Sequence, residues 1–310
     1  MQILFYSPDS ESVDDWIELL AAEGISFDPV RWAPGNPPSG AEVVITRFPE
    51  DEMFRSETNL KIVFNMTAGV DGVLRMESLP IDVPIIRLED SGMAKKMAEY
   101  AIYAIAEISR DMDKYRQAKK DKKWLPEPRS DVEDWPVGVM GLGIIGREVA
   151  TQVARIGYPV SGWARSRHAL EAVSCYAGEA GFNDFLSHTR ILINVLPVTP
   201  QTENIMNKQT FDRLLPDGYI INMGRGQHLD ENALTESIAN GVLGGAVLDV
   251  FRTEPLPASH PFWTNPAISI TPHVSGKTDM KAAIKQVARK FRAWQSGEKL
   301  SGMVDRSVGY

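Results

Sequence analysis

Residues 141–146 read Gly-Leu-Gly-Ile-Ile-Gly, a spacing suited to holding a pyrophosphate against backbone amides. The run follows a short apolar segment, PVGVM (136–140), and opens a helical pattern, Ile145–Gly157. In that setting Gly141 permits a tight turn and Gly143 lets an anion approach the backbone. Gly146 lets helix and strand pack closely. The amides of the helix start then face the anion, so Gly141, Leu142, Gly143, Ile144, Ile145 and Gly146 are cofactor-binding candidates. The end of the next strand chooses between dinucleotides. A site for NAD expects an Asp or Glu about 20 residues further on, bonded to the ribose 2′-hydroxyl. Here the turn reads Gly162-Trp163-Ala164-Arg165-Ser166-Arg167-His168, with no carboxylate before Glu171. Two guanidiniums and a hydroxyl suit a 2′-phosphate, so Arg165, Ser166 and Arg167 point to NADP(H).

Hydride chemistry on a carbonyl also needs a proton donor, and imidazole is tuned for that near neutrality. Of the five histidines (His168, His188, His228, His260 and His273), His273 stands directly after the apolar run AISIT (267–271), with Pro272 stiffening its approach. Arg225 in INMGRG (221–226) and Glu254 in LDVFRTEP (248–255) follow two further such runs. Ligands bind at the carboxyl ends of strands in an open α/β sheet, so Arg, Glu and His at one edge make a plausible site. The guanidinium can hold a carboxylate by a bidentate pair, and the Glu can orient the imidazole and favour its cation.

These residues need a parallel sheet to bring them together. Apolar runs alternate with helical patterns along the chain, the signature of strands joined by crossover helices. QILFY (2–6), EVVIT (42–46), KIVFN (61–65) and PIIR (84–87) read as strands of one unit, with a helix at Ser12–Glu23. Ser91 to about Lys120 reads as one helix uninterrupted by Pro, and 119–135 as an exposed, charged arm. PVGVM, PVSGW (159–163), ILINVL (191–196), YIINM (219–223), GAVLDV (245–250) and AISIT belong to a second unit, and a helix at Thr278–Gly297 follows. No repeat at solenoid spacing is present.

Composition sets outer limits. The chain has 310 residues, 43% hydrophobic and 24% charged, enough for two globular domains. The formal net charge of −8 argues against a nucleic-acid-coating surface, and the excess lies in residues 1–60, with twelve Asp/Glu against three Arg. The single cysteine, Cys175, excludes an internal disulfide and a multi-cysteine zinc site. The start MQILFYSPDSE lacks a basic region before its apolar run, and no uncharged apolar run reaches the roughly 18 residues of a membrane span. A cytoplasmic protein is the expectation.

GLGIIG, LPVTPQT, INMGRG, LDVFRTEPLP and SITPHVSG, in this order, resemble the D-isomer-specific 2-hydroxyacid dehydrogenase family over essentially the whole chain. GWARSR, EPLPASHPFW and the ending MVDRSVGY resemble its glyoxylate/hydroxypyruvate reductase A branch. The resemblance implies two doubly wound parallel-sheet domains, one Rossmann-type for the nucleotide and one flavodoxin-like for the substrate. The expected extents are 1–94 for the first part of the substrate domain, 95–279 for the NADP-binding domain and 280–310 for a helix returning to the substrate domain. The chain would cross near Gly92–Met97 and Gly276–Lys281.

The resemblance further implies Arg225 as substrate anchor, His273 as acid/base and Glu254 as its partner. Leu196, Pro197, the Met223 carbonyl and Asp249 would lie along the nicotinamide. Asn65–Asp71 matches the family's substrate loop, and its amides at Ala68, Gly69 and Val70 could hold a carboxylate. Arg47 stands where that branch usually offers an aromatic residue, which makes it an additional substrate contact or a plain surface charge. The activity implied is NADPH-dependent reduction of small 2-oxo acids to D-2-hydroxy acids, without a metal. A two-fold dimer is expected from apolar residues along 91–120 (Met93, Met97, Ile102, Ile105, Ile108) and from Trp124-Leu125-Pro126. Two alternatives stay open. A dinucleotide-sensing corepressor-like protein could dispense with the Arg–Glu–His set and would carry a partner-binding tail. A phosphoglycerate dehydrogenase would favour NAD and often has a C-terminal extension.

Overall fold

The computed structural model describes residues 1–126 and 131–310. Residues 127–130, inside the arm expected at 119–135, lie outside the described residues. The chain forms two compact units, Met1–Gly92 with Thr278–Tyr310, and Met93–Lys277. The breaks fall two residues before those expected at 94/95 and 279/280.

The first unit is a five-stranded sheet. Its strands are β1 (Gln2–Tyr6), β2 (Asp28–Arg31), β3 (Val43–Thr46), β4 (Ile62–Asn65) and β5 (Ile85–Arg87), in the order β2-β1-β3-β4-β5. Every pairing is parallel. The crossovers carry α1 (Ser10–Ala22), α2 (Asp51–Ser56) and α3 (Asp71–Leu74). Strand alternation divides the apolar residues between two faces. Ile3, Phe5, Ile45 and Phe64 face one core, shared with Trp16, Leu20, Ile284 and Phe291; Leu4, Val44 and Val63 face the other, with Met53, Phe54 and Val73. Ile284 and Phe291 lie on the C-terminal helix Met280–Gln295, so the first core is completed by the end of the chain. Asp279 starts that helix, its carboxylate accepting from the Ala282 amide at 3.0 Å.

The second unit is a seven-stranded parallel sheet. It contains β6 (Val137–Met140), β7 (Val160–Ala164), β8 (Val173–Ala177), β9 (Ile191–Asn194), β10 (Gly218–Asn222), β11 (Leu243–Leu248) and β12 (Ile268–Ile270). The order β12-β11-β10-β9-β6-β7-β8 winds outward from β6 in both directions, the Rossmann arrangement with one further strand. Its helices are α4 (Met93–Ser109), α5 (Met112–Lys120), α6 (Ile144–Arg155), α7 (Phe182–Ser187), α8 (Lys208–Phe211) and α9 (Glu231–Ala239); Met280–Gln295 in the first unit is α10. The expected α/β class with two doubly wound parallel sheets is therefore the observed one.

Two expectations need correction. The helix expected over 91–120 is two helices, with Asp111 between them at φ +49°. Aspartate enters the left-handed region more readily than most residues, so the chain breaks here without Pro or Gly. The apolar residues of α4 are also not an open face. Met93, Met97, Ile105 and Ile108 are buried, and the last three pack with Val139, Val149 and Ile193 in the core beneath α6. The exposed apolar groups nearby are instead Tyr103, Met112, Trp124 and Leu125. Among the described residues, no helix is long and apolar enough to cross a membrane.

Candidate active site

The chemistry-bearing residues of the second unit gather where its strands end. β6 runs into Gly141, at φ +98°, and α6 begins after Gly143. A Cβ on Gly146 would stand 1.7 Å from the Gly141 carbonyl oxygen, so helix and turn can approach this closely only with glycine there. The space beside Gly143 is open instead, with no atom within 4 Å of a Cβ built on it. No side chain caps the helix start, leaving its amides and the positive end of its dipole for an anion. Leu142 is buried against Gly162 of β7, which ties this turn to the neighbouring strand. Arg165, Ser166 and Arg167 follow β7 and are all exposed. The open turn, uncapped helix and cationic segment fit a phosphorylated dinucleotide.

His273 lies just beyond β12. Its Nδ1 is 2.8 Å from Glu254 Oε2, while Glu254 Oε1 accepts from the Phe251 amide at 2.9 Å. With the carboxylate ionised, Nδ1 carries the proton of this bond and Nε2 is left for a reacting group. Burial pushes the Glu254 carboxyl up, but the hydrogen bonds from His273 and Phe251 and the charges of His273 and Arg225 outweigh it. The net shift is downward, so the carboxylate stays ionised below the usual range. Both side chains keep solvent access, His273 at 46% and Glu254 at 36%.

Arg225 follows β10, with its Nη1 donating to the Gly224 carbonyl at 2.9 Å. The glycine after it is required by packing. A Cβ on Gly226 would sit 1.9 Å from the Phe251 carbonyl carbon, so this loop lies directly on the one that carries Glu254. The structure thus brings Arg225, Glu254 and His273 to one edge of one sheet.

A buried polar network beneath these loops was not legible as part of the site. β9 and β10 end in register at Asn194 and Asn222, both without solvent exposure. Asn194 Nδ2 donates to Asn222 Oδ1 at 2.9 Å and to His228 Nδ1 at 2.8 Å. His228 Nε2 is 3.1 Å from the Pro197 carbonyl oxygen, so Nε2 bears the proton and the ring is neutral. Asn194 Oδ1 accepts from the Leu196 amide at 3.2 Å, and Asn222 Nδ2 donates to the Arg225 carbonyl at 3.0 Å. Leu196, Pro197 and Arg225 are therefore fixed by one set of side chains, and the Met223 amide is bonded to the Asn194 main-chain carbonyl at 3.1 Å. The available signal was the pair of strand endings, ILIN and YIIN, each an apolar run closed by Asn.

Asp249, after β11, is fully buried. Its carboxylate accepts from the Thr271 hydroxyl (2.6 Å) and from the amides of Val274 (2.8 Å) and Ser275 (2.9 Å). These bonds make it a support of the His273 segment.

The remaining expected residues belong to the first unit. Arg47 follows β3 next to the end of β1, where the winding of a β2-β1-β3-β4-β5 sheet reverses and ligand crevices form. Its guanidinium lies 4.0 Å from the Asp9 carboxylate and 5.7 Å from the Phe48 ring centre. Its Nε is buried without a hydrogen-bond partner. In the loop after β4, Asn65 Nδ2 donates to Thr67 Oγ1 at 2.8 Å and to the Gly69 carbonyl at 2.9 Å, which folds the turn through Ala68 to Val70.

A family profile described as the NAD-binding domain of D-isomer-specific 2-hydroxyacid dehydrogenases matches residues 102–275. The chain belongs to the D-isomer-specific 2-hydroxyacid dehydrogenase family. A relative from Serratia proteamaculans, named glyoxylate/hydroxypyruvate reductase A, is 37% identical over 315 residues and covers all of both chains. A solved family member from Xanthobacter autotrophicus Py2, in complex with NADPH and MES, has a TM-score of 0.93 at 32% identity over 100% of this chain and 99% of the other. The NADPH-dependent glyoxylate/hydroxypyruvate reductase of Sinorhizobium meliloti, in complex with NADP and sulfate, has a TM-score of 0.93 at 32% identity over the same shares.

Proposed function

We propose that the protein is an NADPH-dependent reductase of small 2-oxo acids, with glyoxylate and hydroxypyruvate as its substrates; the first gives achiral glycolate and the second a D-2-hydroxy acid. The observation that carries this reading is the 2.8 Å His273–Glu254 bond at the carboxyl edge of the sheet that bears the Gly141–Gly146 turn. Full-length relatives with that activity in their names support it.

The Gly141–Gly146 turn and the start of α6 hold the cofactor's pyrophosphate. Arg165, Ser166 and Arg167 hold its 2′-phosphate, and Leu196, Pro197, the Met223 carbonyl and Asp249 border the nicotinamide end. NADPH, when bound, supplies the hydride that reduces C2 of the substrate. Arg225 fixes the substrate carboxylate. His273 Nε2 gives its proton to the carbonyl oxygen as negative charge develops there. Glu254 holds Nδ1, keeps the ring oriented and stabilises the imidazolium that must be present before reduction. A cytoplasmic homodimer completes the reading.

The test is NADPH oxidation by the purified protein against a panel of 2-oxo acids, with NADH in parallel. Turnover of glyoxylate or hydroxypyruvate with preference for NADPH is expected. Absence of turnover with every 2-oxo acid would remove the proposal.

A further inference from the structure

His273 has a left-handed backbone, φ +53°, and it is not glycine. A non-glycine residue there costs energy and persists only where its surroundings hold it. The holding groups form one chain of hydrogen bonds. The His273 amide donates to the Asp249 carbonyl oxygen at 2.8 Å and to the Thr271 carbonyl at 3.1 Å. The Asp249 carboxylate takes the next two amides, Val274 and Ser275, and the Thr271 hydroxyl. That hydroxyl has a single proton, already given to Asp249. Its 2.6 Å contact with the Tyr100 hydroxyl must therefore be one in which Tyr100 donates. Tyr100 lies on α4, a helix packed into the core of the same unit. Burial, with smaller contributions from the Asp249 and Glu107 charges, pushes the Tyr100 phenol up to about 12. The phenol thus remains a donor at any working pH.

We propose that Tyr100, Thr271 and Asp249 form a strut that runs from α4 to the His273 segment, fixes its left-handed turn and so aims the imidazole at the reacting carbonyl. Tyr100 and Thr271 act through Asp249 and the backbone, as positioning residues. The glycine that would relieve the turn cannot replace the side chain that transfers the proton, so the strain is borne by these buried bonds instead. The inference rests on His273 being the proton donor.

Thr271→Val removes the proton given to Asp249 at nearly constant volume, and Thr271→Ser retains it. Misplacing the donor by a fraction of an ångström lowers kcat of reduction roughly tenfold to a hundredfold in Thr271→Val. NADPH affinity, measured by fluorescence titration, stays within about twofold of wild type. Thr271→Ser recovers most of the rate, and Tyr100→Phe gives a smaller loss of the same kind. The solvent deuterium isotope effect on kcat rises in Thr271→Val, because proton transfer becomes slower relative to the other steps. A structural role alone would lower the melting temperature and leave kcat per folded molecule and the isotope effect where they were. Wild-type kcat and isotope effect in folded Thr271→Val and Tyr100→Phe would overturn the strut. His273→Ala is measured beside them: an active His273→Ala would overturn the proton-donor reading itself, whereas an inactive one alongside unaffected strut variants would overturn only the strut.

Discussion

Replacing Arg165 and Arg167 together with Ala tests how the turn after β7 reads the cofactor. Both side chains are exposed, so their bonds to a 2′-phosphate form in a medium of high dielectric. The low end of the range for a charged hydrogen bond, about 1.5 kcal/mol each, is the fitting value. The pair then contributes about 3 kcal/mol, which corresponds to a loss of roughly 100-fold in NADPH affinity. NADH carries no 2′-phosphate, so its affinity should move by less than about threefold, and the ratio of the two kcat/KM values should collapse toward unity. Salt gives an independent reading, since screening weakens exposed charge pairs. Raising ionic strength should erode NADPH binding to the wild type and hardly affect the double variant. Titration of each cofactor by fluorescence, with steady-state kinetics in parallel, measures all of these. Equal losses for NADPH and NADH would refute the argument, because a phosphate contact cannot be felt by a cofactor that lacks the phosphate.

Glu254→Gln removes the anion that favours the imidazolium at His273. The rate of reduction should therefore fall by roughly tenfold or more while NADPH binding is unchanged; a wild-type rate would argue against the pairing. In the wild type the depressed Glu254 carboxyl contributes stability that is fully present above its unfolded value and is lost as pH falls through its lower folded value. Arg47→Ala should narrow the advantage of hydroxypyruvate or a dicarboxylic 2-oxo acid over glyoxylate by roughly tenfold in kcat/KM, about 1.4 kcal/mol. An untouched substrate ranking would make Arg47 a surface charge. Sedimentation at micromolar concentration should give a dimer, with Trp124 (96% exposed) and Leu125 among the apolar groups it covers, and a monomer would contradict that.

Most strands legible in the sequence are buried on both faces and so read as apolar runs; β12, a partly buried edge strand, was legible because AISIT still carries three apolar residues. β2 escaped because DPVR is an edge strand, paired only with β1 and mostly exposed, and its proline is tolerated only at such an edge. β8, VSCYA, is the opposite sheet's edge and mixes Ser and Cys into a half-buried strand. The break at Asp111 carried no signal because its cause is a backbone angle that aspartate can adopt but does not announce. Among the site candidates, the glycine turn and His273 could be read from residue type and position after a strand. So could Glu254, the direct partner of His273, but the buried residues beneath them could not. Asn194, Asn222 and His228 come from three separate places in the chain, and Tyr100 reaches Thr271 across 171 residues. Strand register makes neighbours of Asn194 and Asn222, and the packing of loop and helix on the sheet brings in His228 and Tyr100.

The mechanism turns on His273 supplying the proton for reduction of a 2-oxo acid. It is tested most directly by NADPH oxidation with hydroxypyruvate in wild type and His273→Ala, each first shown to bind NADPH by titration. NADPH binding should be equal in the two, and the rate for His273→Ala lower by roughly a thousandfold, within the range for loss of a general acid. A variant that binds NADPH normally and reduces hydroxypyruvate at a rate near wild type would contradict it.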